Sequence, residues 1–206
     1  MKKITLILFS IFIITSMNAQ DIKKLPEPIK KGGMPLMEAL NLRKTDRDFS
    51  SKELDPQTLS NLLWAANGIN RPDGRRTAPT ARNMQQIEIY LYMQDGVYLY
   101  LAKEHALQLV VKGDHRKEAA KQPFAQVAPV TLVLVADYAK MNMDDKELRD
   151  LYAGTDCGNV CQNIYLFCAS ENLCTVELGM IDRESIEKLL KINGKVLLGQ
   201  PVGYHK

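Results

Sequence analysis

Three cations and a hydroxyl fall within five residues at Arg43-Lys44-Thr45-Asp46-Arg47. Such a set, just past a helix, can cradle a phosphate: guanidinium forks give paired donors and Thr45 adds another. The same stretch also reads as a charged turn neutralised locally by Asp46 and Asp48. A second cluster, Pro79-Thr80-Ala81-Arg82-Asn83-Met84-Gln85, follows a turn signal and brings amide donors and acceptors. These suit the edge of a planar heterocycle, and equally a capped loop. A third stretch, Asp156-Cys157-Gly158-Asn159-Val160-Cys161-Gln162-Asn163-Ile164-Tyr165-Leu166, reads as a tightly packed helix face. A fourth, Thr175-Val176-Glu177-Leu178-Gly179, is a strand ending in glycine, where backbone N–H groups can meet a ligand edge.

Other chemistries lack their residues. No Gly-x-Gly-x-x-Gly, Walker loop or Gly-x-Ser-x-Gly occurs. His105, His115 and His205 lie far apart, and none has a Cys or carboxylate at metal-ligand spacing in sequence, so no metal site is expected. Cys157, Cys161, Cys168 and Cys174 read best as small buried thiols, with a Cys168–Cys174 bridge as the alternative.

The elements that must position these clusters are legible in part. Met1-Lys2-Lys3, the apolar run Ile4 to Ile14 and the small-residue stretch ending in Ala19 read as a signal peptide, residues 1–19. The mature chain then begins at Gln20 and is periplasmic or secreted, with no stable membrane anchor. Removing Lys2 and Lys3 leaves 25 basic against 24 acidic residues, a balance that argues against nucleic acid as a partner. Residues 20–34 read as an extended arm, and residues 35–206 as one domain. Helices are predicted after Pro35 and after Asp55-Pro56, the latter ending at Gly68. A hairpin with an Asp95-Gly96 type I′ turn spans 86–102. A short helix at 115–121, a strand over 130–136 buried on both faces, one or two helices in 144–171, a helix from Asp182 and a strand over 195–203 complete an α+β order. The sheet is expected to be mixed and mainly antiparallel, with helices around it.

Arg43-Lys44-Thr45-x-Arg47-x-Phe49, Leu62-Leu63-Trp64-Ala65-Ala66-Asn67-Gly68, Pro79-Thr80-Ala81-Arg82-Asn83 and the closing Pro201-Val202-Gly203-Tyr204 occur in an informative order. With them, residues 35–204 resemble the nitroreductase-like flavoprotein superfamily, and most nearly the branch with the azoline (thiazole/oxazole) dehydrogenases. The resemblance implies a domain-entwined homodimer that binds FMN and acts on a small-molecule substrate. It implies that Arg43, Lys44, Thr45 and Arg47 surround the phosphate. Thr80, Ala81, Arg82, Asn83 and Gln85 would line the flavin from the partner chain, with the N–H of Leu178 or Gly179 toward flavin N5. No side-chain acid or base stands out, so the implied reaction is hydride transfer through N5. Two other classes stand beside it: an exported flavin-binding protein without turnover, and a partner-dependent subunit whose arm docks another protein.

Overall fold

The computed structural model describes residues 21–206. The signal segment read at 1–19 lies outside the described residues. Strand β1 (Ile22–Lys24) leads to helices α1 (Leu36–Leu42) and α2 (Pro56–Asn67). Strands β2 (Ile87–Tyr92), β3 (Gly96–Leu101) and β4 (Ala106–Lys112) form a meander. Short helices α3 (Arg116–Ala119) and α4 (Pro123–Gln126) precede β5 (Val130–Asp137). Then come α5 (Lys146–Ser170), β6 (Cys174–Thr175), α6 (Arg183–Leu190) and β7 (Gly194–Gly203).

The strands make one seven-stranded sheet in the order β1-β4-β3-β2-β5-β7-β6. Every strand pairing is antiparallel, so the expected mixed component is not found among the described residues. Strand β5 sits inside the sheet and is buried on both faces. Leu132, Leu134 and Ala136 face a core built with α2 and α5. Val133 and Val135 face a second core with Ile186 and Leu190 of α6. That two-sided burial is why the stretch reads as an apolar run with Thr131 as its one polar interruption before Asp137.

The helix signals act as their chemistry requires. Asp55 Oδ1 accepts the N–H groups of Gln57 at 3.0 Å and Thr58 at 2.9 Å, and Pro56 opens the helix with its fixed φ. Asp145 caps α5 through Leu148 N–H at 3.0 Å, and Asp182 caps α6 through Ser185 N–H at 3.2 Å. The predicted segment 144–171 is a single helix of 25 residues.

Two expectations are corrected, the hairpin turn and the length of one strand. The hairpin between β2 and β3 does not turn on Asp95-Gly96. Met93 N–H bonds Gly96 C=O at 2.9 Å, so Gln94 and Asp95 are the central residues. Neither has the positive φ of a type I′ turn. Gly96 already belongs to β3, where a Cβ would lie 2.7 Å from Leu109 Cδ1 and 2.8 Å from Val111 O. The glycine serves a close crossing of strands, not a turn. Residues 21–34 of the extended arm lie docked along the domain. Ile22–Lys24 pair with Ala106–Gln108, Ile29 N–H bonds Asn61 Oδ1 at 2.8 Å, and Met34 N–H bonds Ser170 Oγ at 2.8 Å. Finally, the strand read at 175–178 is shorter: only Cys174–Thr175 form β6, followed by a single Leu178–Gly199 bridge.

Candidate active site

Residues 43–50 run as a segment locked to β6 and to the C-terminal residues that follow β7. Asp46 N–H bonds Thr175 C=O at 2.9 Å, Ser50 N–H bonds Tyr204 C=O at 2.8 Å, and Lys206 N–H bonds Asp48 C=O at 3.2 Å. The first cluster therefore sits beside β6 and the end of β7. Its centre is Tyr165 on α5. The Tyr165 hydroxyl lies 3.3 Å from Thr45 Oγ1 and accepts Glu177 N–H at 2.9 Å, while the Arg43 guanidinium lies 5.3 Å from the centre of its ring. One phenol thus gathers Arg43, Thr45 and the 177–179 turn, which the sequence separates widely. Tyr165 lay in the third stretch, but its role depends on tertiary packing that no local pattern reveals.

The donors differ in availability. Among the described residues neither Arg43 nor Arg47 has a carboxylate at ion-pair distance; Arg47 lies 5.7 Å from the Phe124 ring centre. Lys44 is paired with Asp46 at 2.9 Å. That hydrogen bond raises the Lys44 pKa and holds the Asp46 carboxyl down at about 2. Lys206 Nζ lies 3.7 Å from Asp48. Leu178 is corrected as a donor: its N–H is spent on Gly199 C=O at 2.7 Å inside the sheet. Gly179 N–H has no protein acceptor among the described residues, and a Cβ placed there would meet nothing within 4 Å. The backbone at Gly179 is thus open on its Cα side, with its N–H unspent.

The second cluster is a strained loop. Arg82, Asn83 and Gln85 have φ of 52°, 55° and 50°, the left-handed region that costs non-glycine residues energy. The loop is held by the buried Asp156 of α5, whose Oδ2 accepts Gln86 Nε2 at 2.7 Å and Ala81 N–H at 3.1 Å. Gln85 is committed within the loop: its Nε2 donates to Gly74 C=O and Asn83 Oδ1, and its Oε1 accepts Arg76 Nε. Thr80 Oγ1 accepts Gln85 N–H at 3.1 Å. Ala81, Thr80 and Gln85 therefore build the loop, while the Arg82 guanidinium and the side-chain Nδ2 hydrogens of Asn83 stay unspent among the described residues, the Asn83 backbone N–H bonding Thr80 C=O at 3.1 Å.

Asp156 and Tyr165 lie nine positions apart on α5, about 13 Å of rise and two and a half turns. The two clusters thus occupy opposite faces of one helix, and within one chain they do not form a single site.

A third grouping joins Asp46, Cys174 and His205, whose ligand atoms all lie within 4.8 Å of one another. His205 Nδ1 is 3.0 Å from Cys174 Sγ and 3.6 Å from Asp46 Oδ2. Burial, then the nearby Asp46 charge, pushes the Cys174 thiol up to about 12. The expectation that no histidine meets a cysteine or carboxylate is corrected here, because the fold makes the meeting rather than the spacing. All four cysteines are free and buried, so the Cys168–Cys174 bridge does not form. Beside this grouping lies a cavity of about 190 Å³ whose lining includes Lys44, Tyr165, Thr175 and His205.

The chain has clear relatives. Two bear the name putative nitroreductase. One, from Methanocaldococcus jannaschii, is 32% identical over 178 residues, covering 82% of this chain and 90% of the relative. The other, a crystal structure from Ralstonia eutropha JMP134, is 34% identical with a TM-score of 0.84, covering 90% of each chain. A structure of the E. coli microcin synthetase McbBCD complex shares the fold at 16% identity and a TM-score of 0.68, over 99% of this chain and 85% of that one. The profile of the Nitroreductase family matches residues 40–204. With that match spanning the extended segment, the strained loop and the 177–179 turn, the chain belongs to the Nitroreductase family.

Proposed function

We propose that this protein is an FMN-dependent oxidoreductase that works as a two-fold homodimer on a small-molecule substrate. The family supplies the oxidoreductase class. The observation that carries the cofactor reading is the convergence at Tyr165: an arginine without a carboxylate partner, a threonine hydroxyl and the Glu177 N–H meet at one phenol, and the unspent Gly179 N–H follows two residues along the same turn. This donor set fits a phosphate at one end and an electron-rich ring edge at the other.

Arg43, Thr45 and Arg47 would hold the phosphate, with Lys44 close by. Gly179 N–H would meet the ring edge at N5, and Arg82 and Asn83 would come from the partner chain. FMN, when bound, supplies reversible hydride acceptance and donation. The chain's own part is to bind, orient and present donors. Tyr165 fixes Thr45 and the 177–179 turn, and Asp156 fixes the loop that carries Arg82 and Asn83.

The homodimer reading rests on two surfaces. Leu36, Met37 and Leu40 of α1 are 62%, 77% and 44% exposed, an apolar face without a partner in the single chain. On α5, Leu151, Gly154, Thr155, Gly158 and Gln162 form an exposed stripe, and a Cβ at Gly154 or Gly158 would meet nothing within 4 Å. Such a stripe lets a second helix approach closely. An isologous contact there would bring one chain's strained loop toward the other chain's phosphate donors.

We place the protein in the periplasm or outside the cell, on the composition of its first nineteen residues. Within the described residues no helix is long and apolar enough to cross a membrane. An azoline-type reaction is the finer reading, and it rests on the Leu62–Gly68 stretch and the order of motifs.

Purified full chain should be yellow, with one FMN per chain. Under anaerobic conditions NADH or NADPH should bleach it, and a nitroarene or quinone should restore the colour. Colourless protein that takes up no FMN would overturn the cofactor assignment. Bound FMN that no donor reduces would leave a carrier and remove the enzyme.

A further inference from the structure

We propose that Asp46, Cys174 and His205 form a binding site for one borderline-soft divalent cation, with Zn2+ as the matching ion. The inference is independent of the flavin reading, since none of the three residues was assigned to the cofactor.

The donor set carries the chemistry. A thiolate, an imidazole nitrogen and a carboxylate oxygen are the three ligand types that Zn2+ takes together, commonly with a fourth position left to water. Tetrahedral bonds of about 2.3 Å to sulfur and 2.0–2.1 Å to nitrogen or oxygen put ligand atoms roughly 3.4–3.6 Å apart. Here the imidazole nitrogen is 3.0 Å from the sulfur and 3.6 Å from the carboxylate oxygen. With the Asp46 and Cys174 ligand atoms also within 4.8 Å of each other, side-chain shifts of about 1 Å bring the three atoms round an ion.

The backbone holds the ligands in place without the ion. Cys174 pairs with Gly203 in the sheet, Phe49 pairs with His205, and Asp46 N–H bonds Thr175 C=O. Three chain segments are thus cross-linked around the grouping, so little ordering remains to be done on binding. The cavity of about 190 Å³ beside His205 leaves room for water or an exogenous ligand at the fourth position.

Binding forms the sulfur–metal, nitrogen–metal and oxygen–metal bonds, and one proton leaves. The Cys174 S–H, now aimed at His205 Nδ1 and Asp48 C=O, releases its proton to solvent. His205 coordinates as neutral imidazole through Nδ1. Asp46 Oδ2 exchanges the Lys44 ammonium for the cation, and Lys44, 69% exposed at its side chain, swings free. The ion thereby frees a lysine beside the phosphate donors.

The test is titration of full-chain protein, freed of metal by chelator, with Zn2+ and with Co2+ as a spectroscopic probe. One Zn2+ per chain is expected, with a thiolate-to-cobalt charge-transfer band and a melting temperature that rises on Zn2+ addition. Cys174→Ser should abolish the band, and His205→Gln should weaken Zn2+ binding at least 100-fold. Cys168→Ser, at the neighbouring buried thiol, should leave stoichiometry and band unchanged. If Cys174→Ser fails to fold, His205→Gln alone decides, because that side chain is partly exposed. No charge-transfer band in the wild type, or equal Zn2+ affinity in wild type and His205→Gln, would overturn the proposal.

Discussion

The buried carboxylate of Asp156 accepts the side-chain amide of Gln86 at 2.7 Å, and the same oxygen takes Ala81 N–H. A charge on the long helix thereby pins the start of a loop with three residues in the left-handed region. Asp156→Ala strips an acceptor from one buried and one partly buried donor. It is expected to destabilise the chain by about 2–3 kcal/mol, as for losing a hydrogen bond to a charged group. Urea unfolding reads the loss. Asp156→Asn, which keeps an acceptor oxygen, should recover more than half of it.

Arg43→Ala should weaken FMN binding by about 1.5–3 kcal/mol, a factor of roughly 10 to 150. Tyr165→Phe keeps the ring under the guanidinium and removes the hydroxyl that holds Thr45 and Glu177 N–H. It should weaken FMN about tenfold. Fluorescence titration of FMN measures both, and unchanged affinity in both variants would detach this cluster from the cofactor.

Gly158→Gln places a long side chain where the single chain has open space. Helical circular dichroism and the melting temperature without FMN should hold or rise, since glycine is a poor helix former. Light scattering should show monomer where the parent is dimer, with FMN binding lost. In the intact dimer, co-refolded Arg47→Ala and Asn83→Ala chains should regain FMN sites, because a heterodimer carries one site with neither defect. No gain over the parents would exclude a shared site.

His105 sets a pH dependence of stability. Its Nε2 lies 2.7 Å from Ser60 Oγ and its Nδ1 3.0 Å from Tyr100 Oη. Burial holds its pKa below the usual value, so the unfolded chain takes the proton more readily. Its contribution is whole above about pH 6.5 and is lost as pH falls through the window beneath. Asp46 and Asp55, held down at about 2, lose theirs only in more acidic solution. Melting temperatures from pH 7.5 to 5 should fall for the parent. His105→Asn, which tolerates the φ of 46°, should flatten that slope.

What could be read in the chain was what local chemistry decides. Asp55-Pro56 and Asp182 announce their helices because a cap needs only neighbouring residues. Val130 to Ala136 announces a central strand because two-sided burial leaves Thr131 as its one polar position. Strand β1 was hidden, since three exposed residues form a strand only where β4 offers an edge. Strand β4 went unread although Ala106 and Leu107 are buried, because its outer half is partly exposed. In the site, residues 43–47 were legible from their charges. Tyr165 was not, and neither was the meeting of Asp46, Cys174 and His205, because distant segments join only in the tertiary structure.

The pairing of Ile22–Lys24 with β4 also protects the molecule from its own kind. Without that short strand, Ala106–Lys112 would present a row of unpaired N–H and C=O groups beside the exposed Val110. Bare edges of this sort recruit other strands and seed aggregates. The guard is itself a poor template, being three residues long with two lysines, so the sheet stops growing there. At the opposite border β6 is only two residues long. Residues 21–25 thus act as a built-in terminator of strand addition, and a chain trimmed of them would be expected to cloud on concentration before it lost its helices.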